Sequence, residues 1–346
     1  MNDSDLSRCR VVLSRYPEVL GAAFHTDVEA VTVGGGFSGA RVWRVVAGEN
    51  QFSLRRWPEP GLHSSRLREL HRWLRYLSDS AGCPVAVPAE SCEGASVVCE
   101  GGAVWQLEPW LPGAPDNAEP PPANRLTAAM QALAVLHRTS QTYLASHEGA
   151  QWFSVRVGPS PAVLERLGLV RSWTPRLLSE ARLRLMPTVP TRLSELAMQV
   201  IEHGERTLFS VQGELEAVSD LAVPLFPCLR DVWRDHILFE GDCVTGLIDA
   251  AAARTETVGA DLSRYLGSTL GNDPERWNHA LERYAAVRPL SDSERVLIPI
   301  LDRSNLLLSG LHWVRQIVES GPLDPDGRIA ERLSRIVRRL DSHTSR

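Results

Sequence analysis

The stretch from Leu229 to Asp249 constrains the fold more than any other part of the chain. It reads Leu229-Arg230-Asp231-Val232-Trp233-Arg234-Asp235-His236, an apolar Ile237-Leu238-Phe239, a tight Glu240-Gly241-Asp242, then Val244-Thr245-Gly246-Leu247-Ile248-Asp249. Two short β-forming runs joined through a glycine predict a hairpin. One carboxylate, Asp231, precedes the ribbon and another, Asp249, ends it, so both are expected near one end of it. The plain alternative is two unrelated turn carboxylates. The chemical one is phosphoryl transfer, in which one carboxylate orients the attacking hydroxyl and accepts its proton while the other holds the Mg²⁺ that bridges ATP phosphates.

The segments on either side differ in kind. Residues 28 to 57 carry β-type signals: Val31 and Val33, a glycine cluster, Val42 to Val46, a turn-like Ala47-Gly48-Glu49-Asn50, and Phe52 to Trp57. Leu67, Leu70, Trp73, Leu74 and Leu77 then recur at helical spacing between Ser64 and Leu77. Pro84 to Pro88, Ala95 to Cys99 and Ala103 to Trp110 read as short strands, and Pro112 to Pro122 as the best linker. Beyond residue 124 helical spacing dominates, interrupted by strand-like pieces over 226 to 249. The expectation is an α+β fold of two lobes: a small β-rich N-terminal lobe over 1–110, a linker over 111–124, and a larger helical C-terminal lobe over 125–346.

Gly34, Gly36 and Gly39 satisfy G-x-G-x-x-G, a pattern shared by dinucleotide-binding folds and by the phosphate-covering loop of kinases. In either, missing side chains let backbone N–H groups approach phosphate oxygens. A dinucleotide site needs a helix next, whereas here β-formers and a turn follow, which favours a loop between antiparallel strands. A glycine-rich hairpin without a ligand remains the bland reading.

With gaps from about residue 30 to about 315, and most specifically over 229–262, the chain resembles the aminoglycoside phosphotransferase and choline kinase family, whose core reads H-G-D-x-x-x-x-N, a short hairpin, then I-D-F. The resemblance makes Asp231 the catalytic aspartate, Asp249 the metal-binding one and Asp261 the downstream aspartate of a D-L pair, in a protein-kinase-like fold. It makes Trp105 to Trp110, with Glu108 and Trp110, the hinge strand that meets adenine through its backbone. Three departures stand out: Leu229-Arg230 replaces His-Gly, Ala250 replaces an aromatic residue, and His236 occupies the place of a metal-binding asparagine. Imidazole binds metals, but Mg²⁺ prefers oxygen, so the second metal site is altered or His236 serves otherwise.

Composition sharpens one role. The chain has no lysine, so all 37 of its basic residues are arginine. The cation that grips the α and β phosphates must then be a guanidinium, Arg55 by choice with its neighbour Arg56 as the near alternative, and Glu69 on the following helix is either its carboxylate partner or a solvated helix charge. A net charge of −5 over 346 residues argues against a general nucleic-acid partner. No apolar run reaches the roughly 18 residues that span a bilayer. Six cysteines without a C-x-x-C pair, and an N-terminus without signal-peptide order, predict a soluble cytoplasmic protein, monomeric or weakly dimeric.

The resemblance thus implies an ATP- and Mg-dependent kinase acting on a hydroxyl of a small molecule, its acceptor pocket drawn from 150–220 and 270–320. Glu214, Glu216 and Asp220 are either an acidic wall for a cationic acceptor or a solvated loop, and the arginine-rich 328–346 reads as a solvated amphipathic helix and tail. The alternative function is a nucleotide-binding pseudokinase or scaffold, motivated by His236 and the altered flanks of both aspartates.

Overall fold

The structure is a computed structural model that describes residues 3–21, 27–30, 40–57, 63–186, 191–321, 324 and 327–344. Gly34, Gly36 and Gly39 lie outside these residues. The chain packs as two units, one of Met1–Asn117, Pro122–Ser154 and Asp235–Ala253, the other of Ala118–Pro121, Val155–Arg234 and Arg254–Arg346.

In the first unit, β1 (Asp27–Ala30), β2 (Arg41–Ala47), β3 (Asn50–Trp57), β4 (Val98–Glu100) and β5 (Ala103–Pro109) form an antiparallel sheet in the order β1-β2-β3-β5-β4. The period of two in a strand sorts its side chains. Trp43, Val45, Leu54, Trp105 and Leu107 are buried with Cys9, Val12 and Leu13 of helix α1 (Asp3–Leu13) and Tyr16, which precedes the short α2 (Pro17–Leu20). Alternate residues, among them Ser53, Arg55, Trp57, Gln106 and Glu108, form the other face. There helix α3 (Ser64–Ala81) buries Leu67, Leu70, Trp73, Leu74 and Leu77, the stripe its periodicity predicts, and ends at Gly82 in the left-handed conformation that glycine tolerates.

Helix α4 (Ala123–Ser140) belongs to this unit, its Ser140 hydroxyl accepting from Trp73 Nε1 at 3.1 Å. So does the hairpin of β9 (Ile237–Glu240) and β10 (Cys243–Leu247), which turns at Gly241 with φ of 58° and adds the short β6 (Ala114–Pro115) beside β9. The boundary expected at residue 110 is therefore displaced: α4 and the hairpin fold with the N-terminal part. One reason lies in Pro84 to Pro88. That stretch is no strand; only Val85 bridges Leu247, whose N–H donates to Pro84 O at 2.7 Å and so ties the hairpin to the loop after α3.

The second unit holds a small sheet, β11-β8-β7, from β7 (Arg156–Pro159), β8 (Ala222–Cys228) and β11 (Arg254–Glu256). Its helices are α5 (Pro161–Ser172), α6 (Pro175–Leu185), α7 (Arg192–Ala217), α8 (Val258–Leu270), α9 (Pro274–Ala285), α10 (Asp292–Ser320) and α11 (Arg328–Thr344). Reciprocal capping boxes, Thr191 with Ser194 and Ser291 with Glu294, start the two long helices α7 and α10. Leu208, Leu215, Leu301, Leu311, Leu333 and Val337 lie in one core, so α11 is a packed helix on its apolar side rather than a wholly solvated one. Among the described residues no helix is long and apolar enough to cross a membrane.

Candidate active site

The first unit collects its charges on the polar face of the sheet. Arg55 on β3 donates through Nη1 to Asp249 Oδ1 at 2.8 Å, and its Nη2 lies 3.5 Å from Glu108 Oε1 on β5. Pairing of Ser53 with Glu108 and of Arg55 with Gln106 puts this arginine and this glutamate on one face, diagonally across neighbouring strands. Gln106 links the group onward: its Nε2 donates to Glu108 at 2.8 Å, and its Oε1 accepts from Trp57 Nε1 at 2.9 Å. The Arg55 guanidinium stacks 5.2 Å above the Trp57 ring, while its Nε, buried, has no hydrogen-bond partner.

This choice between neighbouring arginines follows from strand alternation. Arg56 points to the opposite face, where its guanidinium lies 5.7 Å from the Trp105 ring. Burial pushes the Glu108 carboxyl up, and Arg55 only partly pulls it back. Burial acts on Asp249 too, but there the closer Arg55 and then His236 prevail and hold the carboxyl below its ordinary value. Arg55 thus bonds Asp249 at the shorter distance and is held as well by the buried Glu108 carboxyl.

Asp249 follows β10 with φ of 58°, one of two non-glycine residues in the left-handed region among the described residues. Holding a non-glycine residue there costs on the order of 1–3 kcal/mol and is a device by which sites aim a side chain. His236 precedes β9, its Nε2 3.9 Å from Asp249 Oδ2, and its carbonyl accepts from Ile248 N–H at 3.0 Å. Arg66 on α3, not singled out by sequence, donates to the carbonyls of Ala251 and Ala253 at 3.0 and 3.1 Å, fastening the segment after Asp249.

Glu69 is not the carboxylate partner of Arg55. Its oxygens accept from Tyr143 Oη at 2.6 Å, Ser146 N at 3.0 Å and Ser146 Oγ at 2.6 Å, so it braces α3 against the loop after α4. The role expected of it falls to Glu108, which sequence assigned only to the hinge backbone. Trp110, just past β5, is more exposed; its N–H donates to Gln51 O at 2.9 Å and Arg44 stacks on its ring at 5.4 Å.

In the second unit a buried carboxylate holds the catalytic-loop candidate. Asp261, in the first turn of α8, accepts from Leu229 N at 2.8 Å through one oxygen and from Arg230 N at 2.5 Å through the other. Arg230 is the second left-handed residue, with φ of 66°, in the place where the resembled family has glycine. The next residue, Asp231, is only half-buried, and Arg264, one helical turn after Asp261, donates to its Oδ1 through Nη2 at 3.0 Å and Nε at 3.2 Å. Sequence named Asp261 as a support but missed Arg264; the i,i+3 spacing on α8 was the available signal.

For a divalent cation, Asp249 offers hard oxygens at the end of a hairpin, which fits a Mg²⁺ that keeps several waters and takes the rest of its shell from phosphate. His236 fits less well as a Mg²⁺ ligand, since that ion prefers oxygen, and its ring stands 3.9 Å from the second Asp249 oxygen, beyond hydrogen-bond distance.

A family model described as a phosphotransferase enzyme family matches residues 29–297. Among curated proteins, a homoserine kinase of Rhodospirillum rubrum is 28% identical over 134 residues, 33% of this chain and 42% of that protein. A homoserine kinase of Rhizobium johnstonii is 34% identical over 122 residues, 33% of this chain and 37% of that one. The chain thus matches less than half the length of these relatives. Two solved structures share the fold nearly end to end: an amicoumacin kinase, hAmiN, in complex with AMP-PNP, Ca²⁺ and Ami, with a TM-score of 0.64, 15% identity and coverage of 99% of this chain and 97% of that one, and a microcompartment-associated aminopropanol kinase with a TM-score of 0.60, 13% identity and coverage of 97% and 95%. At these identities the likeness establishes the kinase-like α+β fold alone.

Proposed function

The chain belongs to the phosphotransferase enzyme family, and on that premise we propose that it moves the γ-phosphate of ATP onto a hydroxyl group of a small molecule. The observation that supports the proposal is the 2.8 Å pair of Arg55 with Asp249, in which we read the guanidinium as the phosphate grip and the carboxylate as the metal ligand.

In this reading Arg55, with the glycine loop Gly34, Gly36 and Gly39, holds the ATP phosphates by paired N–H donors, and the backbone of Glu108 to Trp110 meets the adenine. Asp249 is the ligand for Mg²⁺, and His236 lies beside its second oxygen as an electrostatic neighbour. Mg²⁺ held there would supply neutralisation of the negative charge on the ATP phosphates. Asp231 orients the acceptor hydroxyl and takes its proton as the oxygen bonds to the γ-phosphorus and the bond to ADP breaks. Arg264 fixes the Asp231 carboxylate, and Asp261 fixes the loop that carries it. Positioning and electrostatics supply the acceleration, since a loose phosphoryl transition state asks little covalent work of the protein.

Thermal unfolding of the full chain with ATP and each divalent ion tests this. Stabilisation by ATP only when Mg²⁺ is present, lost in Asp249→Asn, is the expected result; at a ligand concentration near 100 times Kd the gain is about 2.7 kcal/mol. Failure of ATP to stabilise the chain with any divalent ion refutes the kinase reading. ATP binding without transfer to any hydroxyl acceptor favours a nucleotide-binding pseudokinase, the reading to which His236 points.

A further inference from the structure

Between α9, α10 and the loop after α8, wholly within the second unit, lies a cavity of about 380 Å³. That volume falls within the roughly 300–1,000 Å³ of pockets that enclose small ligands. Neither Asp231 nor any other residue of 229–236 lines it, so a molecule held there is not the one that Asp231 addresses. Trp277 and Leu281 of α9 and Ile298 and Pro299 of α10 supply its apolar wall.

Two of these residues are poorly explained by core packing. Pro299 stands inside α10, where proline removes a helical hydrogen bond and crowds the preceding turn, yet it is exposed and fills no core. Trp277 is half-buried, and its Nε1 donates to Gly271 O at 3.0 Å. Its ring meets no other ring and no guanidinium among the described residues. With its one donor committed, the indole offers only apolar and π surface.

Three charged side chains line the cavity, and two are already paired. Asp302 accepts from Arg339 Nη2 at 2.7 Å, and Arg303 donates through Nε to Glu214 at 2.9 Å. The third, Arg295, lies one turn before Pro299 and is exposed. Its guanidinium has no hydrogen bond or ion pair with any described residue. The cavity thus combines an apolar wall with one uncompensated positive charge.

We propose that this cavity is a binding site for an aromatic carboxylate, its ring against Trp277 and Pro299 and its carboxylate on Arg295. A flat ring packs against an indole face, and a guanidinium meets a carboxylate through two parallel N–H donors. An amine would meet Arg295 as a like charge, while the one carboxylate on the wall, Asp302, is held by Arg339. The ligand is bound and not phosphorylated, so the site does not depend on the phosphotransferase reading.

Isothermal titration of the full chain with 2-naphthoate, with 2-naphthylmethylamine as the same ring carrying a cation, and with acetate as an acid without a ring provides the test. 2-Naphthoate is expected to bind with a Kd below about 1 mM, and the amine and acetate at least about tenfold more weakly. Arg295→Gln should weaken naphthoate binding about tenfold and leave the amine no weaker. Asn278→Trp, at an exposed position of α9 on the cavity wall, should fill the space and abolish naphthoate binding. Arg295→Gln breaks no pair among the described residues, so it decides the matter even if the larger side chain at position 278 unsettles α9. The proposal is overturned if naphthoate does not bind, if the amine or acetate binds as tightly, or if the folded variants bind naphthoate as wild type does. Loss of ATP–Mg stabilisation in a chain that still binds naphthoate refutes the kinase reading instead.

Discussion

Replacing Glu69 by glutamine separates the two roles its sequence position allowed. In the structure the side chain is 4% exposed and accepts three short hydrogen bonds, from Tyr143 Oη, Ser146 N and Ser146 Oγ, and a longer one of 3.5 Å from Arg72 Nη1. Ser146 Oγ in turn accepts from Gly149 N at 2.9 Å, so the hydroxyl cannot simply turn to receive an amide proton without giving up its own bond to Glu69. Glutamine keeps the shape and one acceptor oxygen but removes the charge. Hydrogen bonds to a charged group contribute about 1.5–3 kcal/mol and neutral ones about 0.5–1.5, so three bonds lose about 1 kcal/mol each, less the relief of no longer burying a charge. The net expectation is a loss of about 2–3 kcal/mol, a fall of roughly 1 M in the urea midpoint followed by tryptophan fluorescence. Stabilisation by ATP–Mg of the folded variant should be unchanged. A variant as stable as wild type that no longer responds to ATP refutes the brace and returns Glu69 to the phosphate grip.

Three further outcomes follow from the same geometry. His71 is neutral in the fold, Nε2 facing Gln106 Oε1 at 3.2 Å and Nδ1 facing Ser96 Oγ at 2.9 Å, and burial lowers its pKa from 6.5 to about 4; the unfolded chain takes up the proton first, so stability falls as pH drops from about 6.5 towards 4, by up to about 3 kcal/mol from this group, and urea titrations at several pH values should show His71→Gln with a flatter profile. Asp261→Asn leaves one of the two N–H groups of Leu229 and Arg230 without an acceptor and, by loosening the loop that aims Asp231, should lower kcat about tenfold or more with the KM for ATP little changed in steady-state assays. Gly113→Ala puts a Cβ 2.6 Å from Phe239 O and 2.5 Å from Thr245 Oγ1 at a φ of +92°, so a loss of about 2 kcal/mol or more is expected in urea denaturation.

What could be read from the chain alone was whatever repeats at a local period. The Leu67-to-Leu77 stripe, the turn at Gly241 and the strands either side of Ala47-Gly48 depend on neighbours within a few residues, and they stand as expected. The Arg55 partnership was half legible. Strand alternation separates Arg55 from Arg56, but choosing Glu108 over Glu69 requires the register of β3 against β5, which no periodicity encodes. Pro84 to Pro88 has strand-like composition but only one bridge to make, at Val85. The α11 arginines looked solvated because a sequence does not say that Trp233 and Asp302 stand opposite them.

The Arg55 pair has a consequence for the order in which ligands arrive. The cleft lined by Arg55, Glu108 and Asp249 encloses only about 20 Å³, and one Asp249 oxygen is taken by a guanidinium. On the proposed reading, a metal ion arriving alone competes with Arg55 for Asp249 and leaves the buried guanidinium facing only Glu108. A nucleotide offers Arg55 new oxygens and frees Asp249 in the same exchange. Metal and nucleotide then bind with positive cooperativity, each raising the affinity of the other by the same factor, so the affinity of either measured in isolation understates the site.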